Sequence, residues 1–224
     1  MEMTPDRWEF LTRYAAEVFG RPDHQLATLM SRAAKAGLPD IAISPDVGRL
    51  LKMLASMTNA GRGASLILEL GTLAGYSGIW LARALAPGGK LVTIELEPAH
   101  ADFAQREFTV AGLAGRVELV RGAALEVLPA LAARFGDASV DVAFIDAVKT
   151  EYPDYFRLLR PLIKPGGLFI ADNALGSNWT MDQPPGSSPE RDAVDRMNRM
   201  VAADRDFEAA CIMNRQGLVV ARRL

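Results

Sequence analysis

Cysteine, histidine and long apolar runs are scarce in this 224-residue chain, and each scarcity removes a class of function. The single Cys211 excludes an internal disulfide and suits a reducing compartment. Two histidines, His24 and His100, leave little material for a zinc site or a Ser-His-Asp triad. The longest uncharged run, 70–82, covers thirteen residues and holds three glycines, too short for a membrane span. An excess of one charge is missing too. A formal net charge of −2 gives no basic footprint for nucleic acid or an anionic membrane. The opening MEMTPDRWEF lacks the basic-then-apolar pattern of a secretory signal, so the expected compartment is the cytoplasm. What remains is ample material for a core. Half of the residues are apolar and 23% are charged, which excludes a disordered chain. The length suits one domain over 1–224, with N-terminal helices in 1–60 and an α/β core in 61–224.

Short apolar runs alternate with helix-length amphipathic segments. Strands are expected at 66–70, 91–94, 117–120, 142–145 and 168–171. Four of the five are almost continuously apolar, as in strands buried on both faces of a parallel sheet. The run 117–120 carries Glu118 and is flanked by Arg116 and Arg121, which places it at an edge. Between the strands, 78–85, 99–111, 124–134 and 152–163 have helical spacing and the length of crossover connections. The pattern is α/β, doubly wound. At the C-terminus, 207–213 and 218–221 flank Asn214-Arg215-Gln216-Gly217, a hairpin signal. Three helices are expected ahead of the first strand, near 6–19, 24–36 and 46–57, the last introduced by Ser44-Pro45-Asp46. The stretch 174–189 has no apolar periodicity and contains Pro184-Pro185-Gly186-Ser187-Ser188-Pro189. A loop of that length directly after a strand is read as a lid, the plainer alternative being a tolerated insertion.

In an open parallel sheet, ligands bind outside the carboxyl ends of the strands. The first strand runs into Glu69-Leu70-Gly71-Thr72-Leu73-Ala74-Gly75-Tyr76-Ser77. Gly71 lets a ligand approach the backbone, and Gly75 permits a tight turn into a helix. The next strand ends in Glu95, a carboxylate suited to two ribose hydroxyls. Together these features point to a nucleoside cofactor, with close packing as the alternative role for the glycines. No G-x-G-x-x-G is present, and Gly88-Gly89-Lys90-Leu91 has neither the spacing nor the hydroxyl residue of a phosphate-binding loop. Glu69 would repel a pyrophosphate but favours the cationic end of an amino-acid-bearing nucleoside, as in S-adenosylmethionine.

Two further strand candidates end in acids: Asp146 after 142–145, and Asp172-Asn173 after 168–171. Adjacent strands lie about 4.8 Å apart, so two such aspartates can share a cation. Without one, like charges that close would repel. With the amide oxygen of Asn173 the set is all oxygen, suiting Mg²⁺, Mn²⁺ or Ca²⁺. The alternative is that both aspartates cap the loop and helix that follow.

The glycine turn, the Asp146-Ala147-Val148-Lys149 segment and the Asp172-Asn173 pair resemble the cation-dependent O-methyltransferases, which include catechol and caffeoyl-CoA O-methyltransferases and many small bacterial relatives. The resemblance extends from Ile43-Ser44-Pro45-Asp46 through Gly122-Ala123-Ala124 to the terminal hairpin. It implies a Rossmann-like class I methyltransferase, with a mostly parallel seven-stranded sheet ending in an antiparallel hairpin. It also implies methyl transfer from S-adenosylmethionine to a hydroxyl of a small phenolic or catechol-type acceptor. Asp146, Asp172 and Asn173 match the family's metal ligands, and Lys149 its general base. Cofactor contacts are implied for Ile43, Glu69, Gly71, Thr72 and Ser77, for Glu95 at the ribose and Ala124 near the adenine, and for Asp146 and Tyr155 at the methionyl end. A homodimer is implied as well, since dimers are common in the family.

The sequence departs from the family at two places. Several members have Asp-Ala-Asp-Lys where this chain has Asp146-Ala147-Val148-Lys149, and Ser177 stands where caffeoyl-CoA-type enzymes place an asparagine. Both changes argue against an acyl-CoA acceptor. Two alternative functions remain: tRNA modification, disfavoured by the acidic balance, and a module that holds a nucleoside without turnover. Elsewhere, Trp8, Leu11, Ala15, Val18 and Phe19 form an apolar stripe on the first helix, fit for core, dimer surface or substrate cap. Trp179 and Met181 could stack on an aromatic acceptor. His100 and the Arg222-Arg223 pair are assigned to the solvated surface, and Cys211 to the hairpin core.

Overall fold

The computed structural model describes residues 4–214 and 216–224. Seven strands form one mixed sheet in the order β3-β2-β1-β4-β5-β7-β6. They are β1 Ala64–Leu70, β2 Leu85–Glu95, β3 Val117–Arg121, β4 Val140–Ile145, β5 Ile163–Asp172, β6 Phe207–Ile212 and β7 Leu218–Arg223. The first five are parallel, and β7 runs antiparallel to both β5 and β6. The strand carrying Glu118 is an edge, as its mixed composition predicts.

Alternate residues of each strand supply two separate cores. Ile67, Leu91, Phe144 and Ile170 face one cluster, and their chain neighbours Leu68, Val92, Ile145 and Phe169 face the other. The first cluster is closed by α2 His24–Lys35, α3 Pro45–Gly61, α4 Tyr76–Ala82 and α5 Pro98–Val110. The second is closed by α6 Ala124–Phe135, α7 Tyr152–Leu159 and α8 Pro189–Ala203. Burial on both faces is why these strands contain no alternating polar residues.

The structure corrects several boundaries. Strands β2 and β5 begin earlier than their apolar runs, and in each a Pro-Gly-Gly lies where the register slips. Ala64 pairs with Leu85 and Leu66 with Lys90, while Val140 pairs with Ile163 and Val142 with Leu168. The chain therefore bulges at Pro87-Gly88-Gly89 and again at Pro165-Gly166-Gly167. As a result α4 ends at Ala82 rather than Leu85, and α7 at Leu159 rather than Ile163. The expectation of a first helix over 6–19 is met by α1 Pro5–Ala15 followed by a π-helical stretch Ala16–Gly20. Helix α1 buries no residue, and Phe10, Leu11, Tyr14 and Phe19 are exposed, so its stripe is not core.

Helix α8 was not read from the sequence. Of its buried residues, Arg191, Val194, Met197 and Val201 have helical spacing but are crowded by charged neighbours. Cys211 is exposed rather than buried, because β6 is the outer edge and its residues 208–211 are exposed on both faces of the sheet. Arg223 is not a solvated end either: its guanidinium donates to the carbonyl oxygens of Pro161 (3.2 Å) and Ile163. Among the described residues, no helix is long and apolar enough to cross a membrane.

Candidate functional site

The carboxyl ends of β1, β2, β4 and β5 open onto one cavity of about 670 Å³, within the range of small-ligand sites. Its floor is the turn after β1. Gly71 has φ +93°, and a Cβ there would lie 2.1 Å from the carbonyl oxygen of Asp146. The glycine therefore lets the β1 and β4 ends come together. Gly75, also left-handed at φ 86°, turns the chain into α4. Gly71, Thr72, Leu73, Tyr76 and Ser77 all line the cavity.

Glu95, at the end of β2, braces that turn. Its Oε2 accepts the amides of Thr72 (3.0 Å) and Leu73 (2.7 Å), and its Oε1 accepts the amide of Glu97 (2.9 Å). Leu96, Glu97 and His100 continue the wall, with Gly122, Ala123 and Ala124 facing the cavity from the β3–α6 connection. Ile43 lines it from the segment preceding α3.

Glu69 does not line the cavity. It is fully buried, and Ser77 Oγ donates to its Oε1 at 2.6 Å, so its link to the cavity runs through that hydroxyl. Oε2 has no hydrogen-bond partner among the described residues. Burial raises the carboxyl to about 7, against the hydrogen bonds from Ser77 and Thr93, which pull it down.

At the β4 and β5 ends, Asp146, Lys149, Asn173 and Tyr155 line the same cavity. Lys149 Nζ donates to Asp146 Oδ1 at 2.6 Å and to the Tyr152 hydroxyl at 2.7 Å. Tyr152 is fully buried and directs its hydroxyl at the carbonyl oxygen of Asp172, 3.2 Å away. Burial, reinforced by the Asp146 and Asp172 charges, holds this phenol well above its usual pKa. Tyr155 donates to Glu151 Oε2 at 2.5 Å, and burial followed by the Glu151 carboxylate raises its phenol too.

Asp172 follows the register pair Ile145–Ala171, directly across from Asp146, but it is 2% exposed and is not among the residues lining the cavity. Asn173 adopts φ 59° and donates its amide to Gln216, which leaves its Oδ1 as an oxygen with no hydrogen-bond partner among the described residues. Two carboxylates and that amide oxygen form a donor set whose chemistry fits a hard dication. Among the described residues no group of three or more His, Cys, Asp and Glu could hold a metal, and this set contains only two carboxylates.

Two expectations are corrected here. Trp179 is 3% exposed and packs in the second core cluster, with Met181 against it, so the pair is not an aromatic platform for an acceptor. His100 is not simply surface; it faces the cavity, with Nδ1 3.5 Å from Glu95 Oε1. Its place in the first turn of the helix after β2 was the available signal, since such turns border the ligand crevice. Gln216, in the β6–β7 turn, also lines the cavity, and only the tertiary fold brings it there. The segment 174–189 is tied down: Leu175 donates to Gln216 O (2.9 Å), Asn198 to Ala174 O (2.7 Å), and Arg191 to Gln183 O (3.1 Å). From it, Ser177 reaches the cavity.

Known proteins resemble this chain over nearly its whole length. The O-methyltransferase family model matches residues 17–224. A catechol O-methyltransferase of Niastella koreensis is 37% identical over 205 residues, 92% of this chain and 90% of that protein. The O-methyltransferase of Bacillus cereus, solved in complex with SAH, superposes with a TM-score of 0.86 at 32% identity, covering 98% of this chain and 99% of that one. The O-methyltransferase TomG of Streptomyces achromogenes, involved in tomaymycin synthesis and solved in complex with SAM, gives 0.85 at 35% identity, covering 99% of each chain.

Proposed function

This chain belongs to the O-methyltransferase family and is an S-adenosylmethionine-dependent enzyme; from that premise we propose that it methylates a hydroxyl of a small phenolic, catechol-type acceptor with the help of a divalent cation. The observation that carries the reading is the meeting of Asp146, Lys149 and Asn173 in the cavity that also holds the glycine turn.

A phenol has a pKa of about 10, so only ~0.1% is anionic at pH 7, and forming the anion costs roughly 4 kcal/mol. A dication held by Asp146, Asp172 and Asn173 would supply positive charge that favours the acceptor's oxyanion. In its neutral form Lys149 Nζ is the atom assigned to take the acceptor's proton, and the ammonium so formed is the donor that Asp146 and, 2.7 Å away, the Tyr152 hydroxyl accept from. The acceptor oxygen then forms its bond to the methyl carbon as the sulfur–methyl bond breaks, releasing S-adenosylhomocysteine. Val148, half exposed on the cavity wall beside Lys149, offers apolar surface for an aromatic ring where several relatives carry an aspartate.

The experiment is methyl transfer from S-adenosylmethionine to catechols, single phenols and acyl-CoA thioesters, each with Mg²⁺ and with EDTA. Turnover confined to catechols and dependent on Mg²⁺ is the expected result. Full turnover in EDTA removes the cation, and transfer to acyl-CoA alone removes the acceptor class.

A further inference from the structure

The two ends of a side-chain amide are nearly the same size and opposite in polarity. An asparagine therefore serves a cation only when something fixes which end faces it. A carboxylate needs no such control, because both of its oxygens accept. Asn173 is thus the one member of the strand-end donor set that suits a cation in one orientation and repels it in the other. Its left-handed backbone, at φ 59°, fixes where the side chain starts but not which way the amide is turned.

The β6–β7 turn makes that choice. The β5–β7 ladder ends at the pair Asp172–Leu218. Past it the two segments stay joined, the Ala174 amide donating to Gly217 O (3.0 Å) and the Leu175 amide to Gln216 O (2.9 Å). Gln216 is thereby seated, half-buried, beside Asn173, and its Oε1 accepts a hydrogen bond from Asn173 Nδ2. Among the described residues this is the only hydrogen bond of the Asn173 side chain. With Nδ2 engaged by the turn, Oδ1 is the atom left for a ligand in the cavity that Asn173 lines together with Asp146.

We propose that Gln216 is a positioning residue for the divalent cation: by accepting from Nδ2 it holds Asn173 with its oxygen, and not its NH₂, available to the ion. It acts through Asn173 and needs no contact with the acceptor or with the methyl group in transfer. The inference rests on the cation reading of the site and adds to it a residue carried by the terminal hairpin. Partners that orient a metal ligand in this way contribute about 10- to 100-fold to metal affinity.

The test is Mn²⁺ binding to the full chain saturated with S-adenosylhomocysteine, followed by the electron-spin signal of the free ion with no acceptor present. Gln216→Met keeps the length of the side chain and removes the accepting oxygen. It is expected to weaken Mn²⁺ by about 10- to 100-fold while leaving the affinity for S-adenosylhomocysteine in EDTA within about twofold of wild type. Gln216→Ala takes its place if the methionine variant does not fold. Gln216→Glu, which still accepts from Nδ2, should restore Mn²⁺ affinity. The sharpest arm is the Asn173→Asp background, where the ligand has two equivalent oxygens. There Gln216→Met should weaken Mn²⁺ by no more than about threefold, since a carboxylate presents an acceptor whichever way it is turned. Unchanged Mn²⁺ affinity in Gln216→Met and Gln216→Ala, no recovery with Gln216→Glu, a matching loss of S-adenosylhomocysteine affinity, or an equal loss in the Asn173→Asp background overturns the proposal. A wild-type protein that binds no Mn²⁺ overturns the cation reading itself.

Discussion

Lys149 Nζ and Asp146 Oδ1 stand 2.6 Å apart at the mouth of the β4 end, three residues from one another in sequence. Both are part-buried, so the pair is shielded from salt more than a surface bridge would be. The buried Tyr152 hydroxyl holds the lysine from its other side. An amine fixed in this way has a defined direction into the cavity, which a base needs more than it needs affinity for substrate.

Replacing Lys149 by methionine keeps the length and apolar stem and removes the amine. The expected result is a fall in kcat of about 10²- to 10⁴-fold, with the Kd for S-adenosylhomocysteine nearly unchanged. Lys149→Arg should not rescue turnover, because a guanidinium stays protonated in proteins. Steady-state kinetics beside calorimetry separates the two effects. A Lys149→Met enzyme of wild-type kcat would end the role given to this residue.

Asp146→Ala addresses the cation. The carboxylate projects into the cavity rather than the core, so the variant is expected to fold and to melt close to wild type. Catalysis at saturating Mg²⁺ should be lost, and the heat of Mg²⁺ binding should disappear with it. Wild-type turnover of the purified variant in EDTA would dismiss the proposed role of a metal at this position.

Much of this arrangement is legible in the chain itself. Residues 142–145 and 168–171 are buried strands because they carry no polar alternation, and that places Asp146 and Asp172 at adjacent strand ends. What the sequence hides is tertiary. Gln216 reaches the cavity only because β7 pairs antiparallel with β5, which brings its preceding turn beside Asn173. Trp179 looked like a loop aromatic because its burial depends on core residues distant in sequence. Helix α8 was masked by its own composition. Arg191 occupies a buried position that an apolar-periodicity count treats as solvent-facing, although Ser188 and Pro189 mark its start.

Glu69 gives a pH signature. Its carboxyl sits at 4.5 in the unfolded chain and is raised by burial to about 7 in the folded protein, so between these values the folded state binds the proton more tightly. Stability therefore falls as pH rises through that window, by on the order of 3 kcal/mol once both transitions are passed. Glu69→Gln carries no such titration. Urea unfolding at pH 5 and pH 8 should show wild type losing stability relative to the variant. Parallel pH dependence in the two proteins would rule out a buried, raised Glu69.

Gly71→Ala tests the junction under the cavity. The added Cβ would meet the Asp146 carbonyl oxygen at 2.1 Å, and the left-handed φ of +93° is itself unfavourable for alanine. The β1 and β4 ends must then separate, with a cost expected to exceed about 2 kcal/mol. Chemical denaturation gives the magnitude. A change of only a few tenths of a kcal/mol would mean that these strand ends are not in close contact.

Arg191 decides how free the 174–188 segment is. Its guanidinium is buried and holds the segment by backbone oxygens, donating to Gln183 O at 3.1 Å and Met181 O at 3.3 Å, while its charge is met by Asp192 and Asp195. Removing one member of a buried, hydrogen-bonded charge group leaves the others unsatisfied, so Arg191→Ala is expected to cost about 2–4 kcal/mol. The local consequence is more telling than the global one. With its anchor gone, the segment stays attached through Leu175, the buried Trp179 and the Gly186 amide on Asp192, while the carbonyl oxygens of Met181 and Gln183 lose their donor and 180–187 loosens. Hydrogen exchange there should accelerate well beyond the change at β4 and β5. A lid that opens as a unit would instead exchange quickly in wild type and respond little to the substitution, and that outcome would support the lid expected from the sequence.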